Sequence, residues 1–324
     1  MLNWSYGMEY RIRILDTADE MAQVEDVQSI VWPGNKIEIV PAHLLLTAAH
    51  NGGLILGSFK LPDSHMDNED IWEINKSLIP EGSSLVGFVF GFPGLFITNE
   101  GTKIKHCSHM MGVHPEHRNK SIGFFLKRAQ WQMVRFQGIE LITWTYDPLL
   151  SLNAHLNISR LGAVCKTYFK NIYGSLRDGL NIGLPTDRFQ VDWWVNSQRV
   201  NHRLSKKPRK RLDLAHFLAA GAVIINPTHI LEDGLPRIDT ESSEKKLEKE
   251  LNSKVPRKIL LIEIPADFLS LKTSDKSLAL SWRMHTRFLF QQLFSHGYLI
   301  TDFVYLPGTY PRSFYVAVFG ESTL

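Results

Sequence analysis

The sequence of 324 residues contains only two cysteines, Cys107 and Cys165. This number is too small for a disulfide framework, or for a zinc site built on cysteine pairs, in a chain of this size. No run of about 18 uninterrupted apolar residues occurs, and the first residues lack a basic segment followed by an apolar one. The sequence therefore argues against a secreted disulfide-rich protein and a membrane-spanning one, and we expect a soluble cytoplasmic protein.

An excess of charge of one sign is also missing. The chain has 36 lysines and arginines against 33 aspartates and glutamates, which gives a formal net charge of +3. This balance favours neither nucleic acid nor a membrane as a partner, although it suits an anionic small ligand. The thirteen histidines and two cysteines show neither H-E-x-x-H nor C-x-x-C spacing, so we expect no metal.

The apolar periodicity and the turn residues predict the element order β-α-α-β-β-β-α-β-α-β-β for residues 10–198. This order predicts a mixed α/β domain, 1–198, in which meandering strands come first and a crossover follows. We expect Asp16 to cap the first helix and Gly138 and Gly162 to end two later helices.

The composition changes near residue 198. Residues 199–255 contain the basic run SKKPRKR and the charged stretch ESSEKKLEKELNSK, which predict a charged linker or peripheral segment. SKKPRKR resembles a nuclear-import or nucleic-acid patch, but it contains proline and no aromatic residue, so a solvated linker is favoured. Residues 256–324 predict a β-α-β-β module, which at this size should pack on the first domain.

A polar, basic loop separates a strand from a helix in the middle of the first domain. The strand KIKHCSHMMGV ends at Val113-His114-Pro115, and the helix opens at Ser121-Ile122-Gly123. The N–H groups at a helix N-terminus favour anions, because they lack partners within the helix and the helix dipole is positive there. Arg118 and Lys120 add positive charge. A diphosphate site and an ordinary exposed basic loop are both consistent with these residues.

The residues Arg118-Asn119-Lys120-Ser121-Ile122-Gly123 resemble the R/Q-x-x-G-x-G/A signature of the GNAT superfamily of acyl-CoA transferases. In that family the signature follows a strand ending in V-x-P, which Val113-His114-Pro115 resembles. The predicted element order of residues 10–198 is also similar to the GNAT fold. We therefore expect a GNAT-like acyltransferase fold with a C-terminal β-α-β-β extension.

A second family block, N-x-x-A-x-x-x-Y-x-K-x-G-F, is resembled by residues 151–163. Ala154 falls on the family alanine, Arg160 on its basic position and Gly162 on its glycine. Three residues depart from the two motifs. Ser121 stands at the first glycine of the signature, a position that a small residue tolerates if its φ is negative. Ser151 stands at the asparagine, and Ile158 stands where the family often has the tyrosine that protonates the leaving thiolate.

The resemblance implies transfer of an acyl group, with acetyl favoured, directly from CoA to an amine acceptor. The co-substrate would be acetyl-CoA or another acyl-CoA, and the acceptor a small molecule or peptide. Asn153 and Asn157, four residues apart, are expected to share a helix face and to contact ligand or neighbouring backbone. The residues expected to bind the co-substrate are Met111, Val113, Arg118, Asn119, Lys120, Ser121, Ile122, Gly123, Phe124, Asn153 and Asn157.

Three residues are candidates for proton transfer. Asp147 ends the strand LITWTYDP, although it also suits a turn before Pro148. His109 has an unperturbed pKa near 6.5 that suits a base, and a strand histidine bonded to a backbone carbonyl is the alternative. Tyr168 could replace the missing tyrosine, as could two other tyrosines, and packing as a half-buried aromatic is the alternative.

Other interpretations remain open at the level of sequence. Because Ile158 replaces the usual tyrosine, the chain could be a catalytically weak or inactive CoA-binding or protein-interaction module. Arg283 and Arg287 lie four residues apart, so they could bind a carboxylate ligand or pair with aspartate or glutamate. We expect neither nucleic acid nor membrane as a partner, and homodimerisation stays open.

Overall fold

The computed structural model describes residues 9–33, 39–63, 74, 79–174, 183–208, 210–253 and 257–320. The chain divides into two compact units, Met1–Trp144 (unit 1) and Thr145–Leu324 (unit 2). Each unit combines a β-sheet with helices, so the expected mixed α/β class is confirmed. The boundary predicted near residue 198 falls inside unit 2. None of the helices in the described ranges is long and apolar enough to cross a membrane.

Unit 1 contains the first five strands and the first three helices, in the predicted order. Its sheet has the strand order β1-β2-β3-β4-β5, with antiparallel neighbours up to β4 and a parallel pair between β4 and β5. The elements are β1 (Tyr10–Ile14), α1 (Ala18–Val31), α2 (Ala42–His50), β2 (Leu54–Lys60), β3 (Ser84–Thr98), β4 (Gly101–Val113), α3 (Ile122–Phe136) and β5 (Leu141–Tyr146), the last of which continues into unit 2.

Helix α1 begins one residue later than expected. Thr17, and not Asp16, is the N-cap, because its hydroxyl accepts a hydrogen bond from the Glu20 N–H while the Glu20 carboxylate accepts one from the Thr17 N–H. This reciprocal arrangement satisfies two N–H groups at the helix start. Helices α1 and α2 then cover one face of the sheet through a core that includes Leu15, Met21, Val24, Leu45, Ile55, Phe88 and Phe90.

Strand β4 carries a β-bulge at His109. Phe90 of β3 lies opposite Met110, whereas the next residue, Gly91, lies opposite Ser108, so His109 has no cross-strand partner in β3. An extra residue of this kind shifts the alternation of side chains, because successive residues in a strand point to opposite faces. The bulge therefore decides which β4 side chains face helix α3.

Gly91 makes room for the bulged strand. A Cβ atom added at this position would lie 2.2 Å from Nε2 of His106 and 2.7 Å from the carbonyl oxygen of Cys107. Distances this short are not compatible with a side chain, and the carbonyl oxygen is backbone that cannot easily move. A glycine is thus required opposite the bulge because the neighbouring strand comes too close.

Unit 2 contains the remaining elements. They are α4 (Ser151–Ala154), which continues as a π-helical segment (His155–Arg160), β6 (Val164–Phe169), β7 (Arg188–Trp194), α5 (Gln198–Leu204), α6 (Leu214–Ala219), β8 (Val223–Ile224), β9 (Thr228–Ile230), β10 (Pro236–Ile238), α7 (Thr240–Leu251), β11 (Ile259–Pro265), α8 (Phe268–Ser274), α9 (Lys276–Ser295), β12 (Tyr298–Leu306) and β13 (Arg312–Phe319). The main sheet of this unit has the order β7-β6-β12-β13-β11-β8, and β9 pairs with β10 separately.

The predicted C-terminal β-α-β-β module is formed by β11, α9, β12 and β13. Strand β12 pairs with β6 at Ile300 and Cys165, so the module shares a sheet with residues that precede the predicted boundary. The aromatic rings of Phe189, Phe290 and Tyr315 meet with centroids 4.7–5.5 Å apart and join α9 to this sheet. The predicted charged segment 199–255 contains helices α5 to α7, and its last two residues lie outside the described part of the chain.

We expect Gly91→Ala to lower the free energy of unfolding by about 2–3 kcal/mol, because the new methyl group meets backbone that cannot give way. Gly123→Ala is the matched control. Its Cβ would meet only the mobile Cε of Met111 at 3.2 Å, so its effect should stay within about 1 kcal/mol. Urea unfolding followed by circular dichroism measures both variants, and equal effects would contradict the close approach at Gly91.

Candidate functional site

The bulge places His109 and Met111 on opposite faces of the sheet. The ring of His109 packs at 5.8 Å from the rings of Phe90 and of Phe92, so His109 lies on their face of the sheet. Met111 lies on the other face, against Gly123 of α3. Simple alternation along β4 would place His109, Met111 and Val113 on one face, but the extra residue at the bulge inverts this pattern.

The imidazole of His109 lies in a largely aromatic environment. Partial burial lowers its pKa from the usual 6.5, because an uncompensated charge is less stable away from water. The ring is therefore neutral at pH 7 and able to accept a proton. The part of the residue left exposed permits contact with a bound molecule.

The strand leaves the sheet through a short 3-10 turn, Pro115–His117. The His114 N–H still bonds to the Val86 carbonyl at 2.8 Å, so the pairing with β3 persists to the last residue before the turn. The Arg118 side chain turns back and donates from Nε to the Val113 carbonyl oxygen at 3.3 Å. Nδ1 of His117 lies 3.0 Å from the Tyr10 hydroxyl, which joins the turn to β1.

Two residues of the loop adopt left-handed backbone conformations, Asn119 with φ 65° and Ser121 with φ 62°. The condition of a negative φ at Ser121 is therefore not met. Ser121 adopts a conformation that glycine takes up more readily than other residues. A side chain in this region costs on the order of 1 kcal/mol. The tight turn is thus retained without glycine.

Helix α3 starts directly after this turn. The Ser121 carbonyl accepts from the N–H groups of Phe124 and Phe125, at 3.0 and 3.1 Å. The N–H groups of Ile122 and Gly123 precede these bonds and have no carbonyl of the helix before them. Lys120 lies beside them, with Nζ 5.8 Å from the centre of the Tyr10 ring. The start of α3 therefore combines backbone donors, a positive dipole end and a lysine.

Three side chains of the turn also come together. Ligand atoms of His114, Glu116 and His117 all lie within 4.8 Å of one another. Two imidazoles and a carboxylate are donors that zinc accepts, and the search for H-E-x-x-H spacing did not find them. A search for histidines three residues apart around a proline turn would have done so. The expectation of no metal stays a prediction.

A buried polar network lies on the opposite side of β4 from His109. Lys127 of α3 is fully enclosed and donates to Ser108 Oγ at 2.7 Å and to Gln130 Oε1 at 3.2 Å. The Gln130 amide Nε2 lies 3.2 Å from Nε2 of His106. Nζ of Lys127 also lies 3.7 Å from the centre of the Trp144 ring. The network connects α3 to both β4 residues that precede the bulge on this face.

Burial in the network disfavours the charged forms of two bases. Burial lowers the pKa of Lys127 well below 10.5. Burial, and then the nearby Lys127, lower the pKa of His106 to about 3. Both effects follow from the cost of placing a positive charge in the core without a carboxylate beside it. None of these residues was singled out from the sequence, because a lysine on a helix ordinarily indicates a solvated face.

The predicted catalytic residue Asp147 lies in unit 2 in a bidentate ion pair. Its two carboxylate oxygens accept from the guanidinium of Arg283 at 2.8 and 2.5 Å, and Arg283 is 1% exposed. One oxygen also accepts from the Leu149 N–H at 2.9 Å, which is the turn interaction considered as the alternative. These contacts occupy the carboxylate, and its assignment as a catalytic base stays a prediction.

The predicted Tyr168 donates its hydroxyl to Asp187 at 2.6 Å. Asp187 also accepts two hydrogen bonds from Arg287, at 2.7 and 2.8 Å. Burial, and then the negative Asp187, raise the pKa of Tyr168, which weakens it as a proton donor. The pair Arg283 and Arg287 therefore binds two aspartates of the same unit, and the proposed role of Tyr168 stays a prediction.

Asn153 and Asn157, the two asparagines predicted to contact ligand from the second motif, differ in their exposure to solvent. Asn153 is exposed, whereas Asn157 is 5% exposed. The expectation of a shared face assumed an uninterrupted α-helix, but the structure changes from α-helical to π-helical at His155, between the two residues. The wider π turn alters the alignment of side chains four apart. Ile158, at the family tyrosine position, is fully buried.

We expect Lys127→Met to stabilise the protein relative to the original chain at pH 7, because it removes a lysine whose proton must be lost on folding. Lys127 has a lowered pKa in the folded chain and one of about 10.4 in the unfolded chain. Between these two values the unfolded chain binds more protons, so the free energy of unfolding of the original chain rises by up to about 1.4 kcal/mol per pH unit. The difference between the two proteins should therefore narrow from pH 7 to pH 10 in urea unfolding. A constant difference would contradict a neutral Lys127.

We expect Asp147→Asn to destabilise the protein by about 3–5 kcal/mol, because it leaves the buried Arg283 guanidinium without its counter-charge. Asp233→Asn is the matched control. Asp233 also accepts two bonds from an arginine, Arg237, but both side chains are partly exposed. Its loss should leave the stability almost unchanged, because solvent screens the exposed pair. Thermal and urea unfolding compare the two, and a small effect at Asp147 would contradict a structural ion pair there.

The chain was compared with family models, with curated proteins and with solved structures. No family model matches the chain, and no curated protein matches it. Solved structures do. An acetyltransferase of the GNAT family from Desulfovibrio desulfuricans is 13% identical with a TM-score of 0.40, over 57% of this chain and 99% of that chain. Arabidopsis thaliana NAA60 in complex with acetyl-CoA is 12% identical with a TM-score of 0.42, over 58% and 99%.

An aminoglycoside 6'-acetyltransferase type Ii is similar to the same extent, at 15% identity and a TM-score of 0.39, over 58% of this chain and 98% of that chain. These structures are similar to part of this chain. The resemblance to the GNAT family noted in the sequence stays an expectation. The reaction and the acceptor have to be inferred from the residues of this chain.

Proposed function

We propose that this protein is an acyl-CoA-dependent N-acyltransferase, with acetyl-CoA as the favoured co-substrate. The observation that supports it best is the left-handed turn at Ser121 followed by the N-terminus of α3. This arrangement presents backbone N–H groups beside two cationic side chains, Arg118 and Lys120, and it suits a diphosphate. The resemblance of these residues to the GNAT signature connects the anion site with CoA.

The strand after the bulge suits the extended arm of the co-substrate. Met110–Val113 pairs with β3 on one side. Strand β4 also pairs in parallel with β5, where His106 lies opposite Ile142 and Cys107 opposite Thr143. This pairing lies before the bulge. We infer that the other edge of Met111–Val113 offers backbone groups to the pantetheine amides, as an added strand would. An acyl-CoA bound in this way supplies a thioester carbonyl for attack by an amine.

His109 is the best supported of the three predicted proton-transfer residues. Its ring is neutral and partly exposed, whereas Asp147 and Tyr168 are held by other side chains. In the proposed reaction the amine nitrogen forms a bond to the thioester carbon and gives a proton to His109, directly or through water. The carbon–sulfur bond then breaks, and the thiolate takes a proton from solvent, because Ile158 has no hydroxyl to offer.

A second candidate function is CoA binding without efficient catalysis. One specific observation favours it. Two of the three predicted proton-transfer residues, Asp147 and Tyr168, are paired with other side chains, and Ile158 at the tyrosine position is apolar and buried. A protein of this kind would bind acyl-CoA at the same loop and release little free CoA in the presence of amines.

We expect acetyl-CoA to bind saturably with one molecule per chain, and Arg118→Ala to weaken binding about ten-fold, because a charge-assisted contact to phosphate is lost. Gly123→Trp should weaken it further by covering the start of α3. Isothermal titration calorimetry measures both. Lys103→Ala is the matched control, since Lys103 is an exposed lysine of β4 that pairs with Glu100, and it should leave the affinity unchanged.

An assay of free CoA, together with the binding titration, separates the two functions. Release of free CoA with at least one member of a panel of small amines and peptide N-termini would support the transferase, and loss of this release in His109→Gln with retained binding would support the assigned base. Binding without turnover would favour the second function. Absence of acetyl-CoA binding would contradict both.

A further inference from the structure

Strands β3 and β4 extend beyond their neighbours in unit 1 as a two-stranded ribbon. Strand β2 pairs with β3 only as far as Leu54 opposite Gly91, whereas β3 and β4 stay paired up to Thr98 opposite Gly101. Among the residues that the structure describes, no strand accompanies residues 92–98 on the side of β3 away from β4. A strand edge of this kind presents backbone N–H and C=O groups that can pair with another chain.

One face of the ribbon is apolar and exposed. Leu95 is 68% exposed and Ile97 is 87% exposed. Ile104 of β4 lies directly opposite Leu95 and is 57% exposed. The three side chains share a face, because residues two apart on a strand do so and directly paired residues do so. Neighbouring apolar side chains that are exposed in this way are typical of an interaction surface.

The two strands of the ribbon differ in charge. Strand β3, with the sequence SLVGFVFGFPGLFIT, contains no charged residue. Residues 101–105 of β4 include Lys103 and Lys105. Lysines on an edge strand oppose its pairing with another strand. The ribbon is therefore protected along β4 and open along β3.

The open edge of β3 is complementary to itself. In an antiparallel pair of two copies, a two-fold axis at Phe96 would place Leu95 of each copy opposite Ile97 of the other. This register leaves Pro93 outside the ladder, where its missing N–H has no effect. An axis at Leu95 would bring Pro93 into the ladder, and an axis at Ile97 would extend the ladder into the turn at residues 99–100. The axis at Phe96 is therefore the favoured one.

Like charges would stay apart in such a pair. The strand order β4-β3-β3-β4 would separate the lysines of the two copies by three strand spacings, about 14 Å. This separation exceeds the screening length of about 8 Å at physiological salt. Pairing through β4 would instead bring Lys103 and Lys105 of both copies onto neighbouring strands, where like charges are destabilising. A second copy of this chain, joined through β3, is therefore the partner that fits the ribbon.

We propose that the protein forms a symmetric dimer in which residues 94–98 of β3 pair antiparallel with the same residues of a second copy. The two ribbons form one four-stranded sheet, and Leu95, Ile97 and Ile104 of both copies form its apolar face. A ladder of this length makes a small interface, so the dimer is in reversible equilibrium with the monomer. The surface belongs to unit 1 and does not depend on the acyl-CoA function proposed above.

Sedimentation of the full-length protein over a range of concentrations tests the dimer. We expect the average mass to rise with concentration from that of one chain to that of two, and no further. Ile97→Lys should raise the dissociation constant of the dimer at least about ten-fold, because it places a charge in the apolar ladder.

Leu44→Lys is the matched control for Ile97→Lys. It adds the same charge at an exposed apolar residue of helix α2, where Leu44 is 49% exposed, and it should leave the dissociation constant unchanged. Both replaced side chains are exposed, so both variants should keep the fold, which circular dichroism verifies.

Cysteine cross-linking tests the register. Phe96→Cys places a thiol at the two-fold axis, where the Cα atoms of the two copies would lie about 4.5–5.5 Å apart, within reach of a disulfide. Mild oxidation should therefore link the two chains. Thr98→Cys is the control, because its Cα atoms would lie roughly 13 Å apart along the strands and should not be linked. The original chain gives the background from Cys107 and Cys165.

Four outcomes would overturn the proposal. The first is a monomer at every concentration, and the second is equal weakening of the dimer by Ile97→Lys and Leu44→Lys. The third is cross-linking of Thr98→Cys without cross-linking of Phe96→Cys, which would exclude this ladder. The fourth is growth beyond two chains, which would show that the lysines do not protect the β4 edge. Failure of acetyl-CoA binding would leave the proposal unaffected.

Discussion

The bulge at His109 is the constraint on which the proposed site of unit 1 depends. One extra residue in β4 lets His106 and Ser108 face α3 before the bulge and Met111 face it afterwards. His109 is left on the other face with an accessible ring. Without the extra residue, either the buried network with Lys127 or the packing of Met111 on Gly123 would be lost. A shift by one residue moves every following side chain of the strand to the other face of the sheet.

The charges of ionisable side chains are compensated in different ways in different parts of the molecule. Two aspartates of unit 2, Asp147 and Asp187, form bidentate pairs with Arg283 and Arg287, so their charges are satisfied by the protein itself. Burial of Lys127 disfavours its charged form. The loop before α3 offers N–H groups that have no partner within the helix, and it is the place where an anionic ligand is expected.

The element order and the strand-loop-helix motif were predictable from sequence, because they rest on local features. Apolar periodicity defines strands and helices, and Gly138 and Gly162 adopt positive φ at the ends of α3 and the π-helical segment, as expected. The position of the cap at Thr17, one residue after Asp16, was less predictable, since both residues are good caps and the reach of Glu20 decides between them. The loop proposed to bind an anion could be identified because its residues are consecutive in the sequence.

The sequence by itself thus determined the mixed α/β class, the order of its elements and the loop from Val113 to Gly123. Only the tertiary structure decided which side chains meet. Asp147 and Arg283 are 136 residues apart, and Arg203 and Asp302 are 99 apart. The alternation of side chains along β4 inverts at His109, and this inversion depends on the pairing with β3. The change to a π-helix at His155 depends on packing. Such choices arise from the three-dimensional neighbours of each residue, which local propensity does not encode.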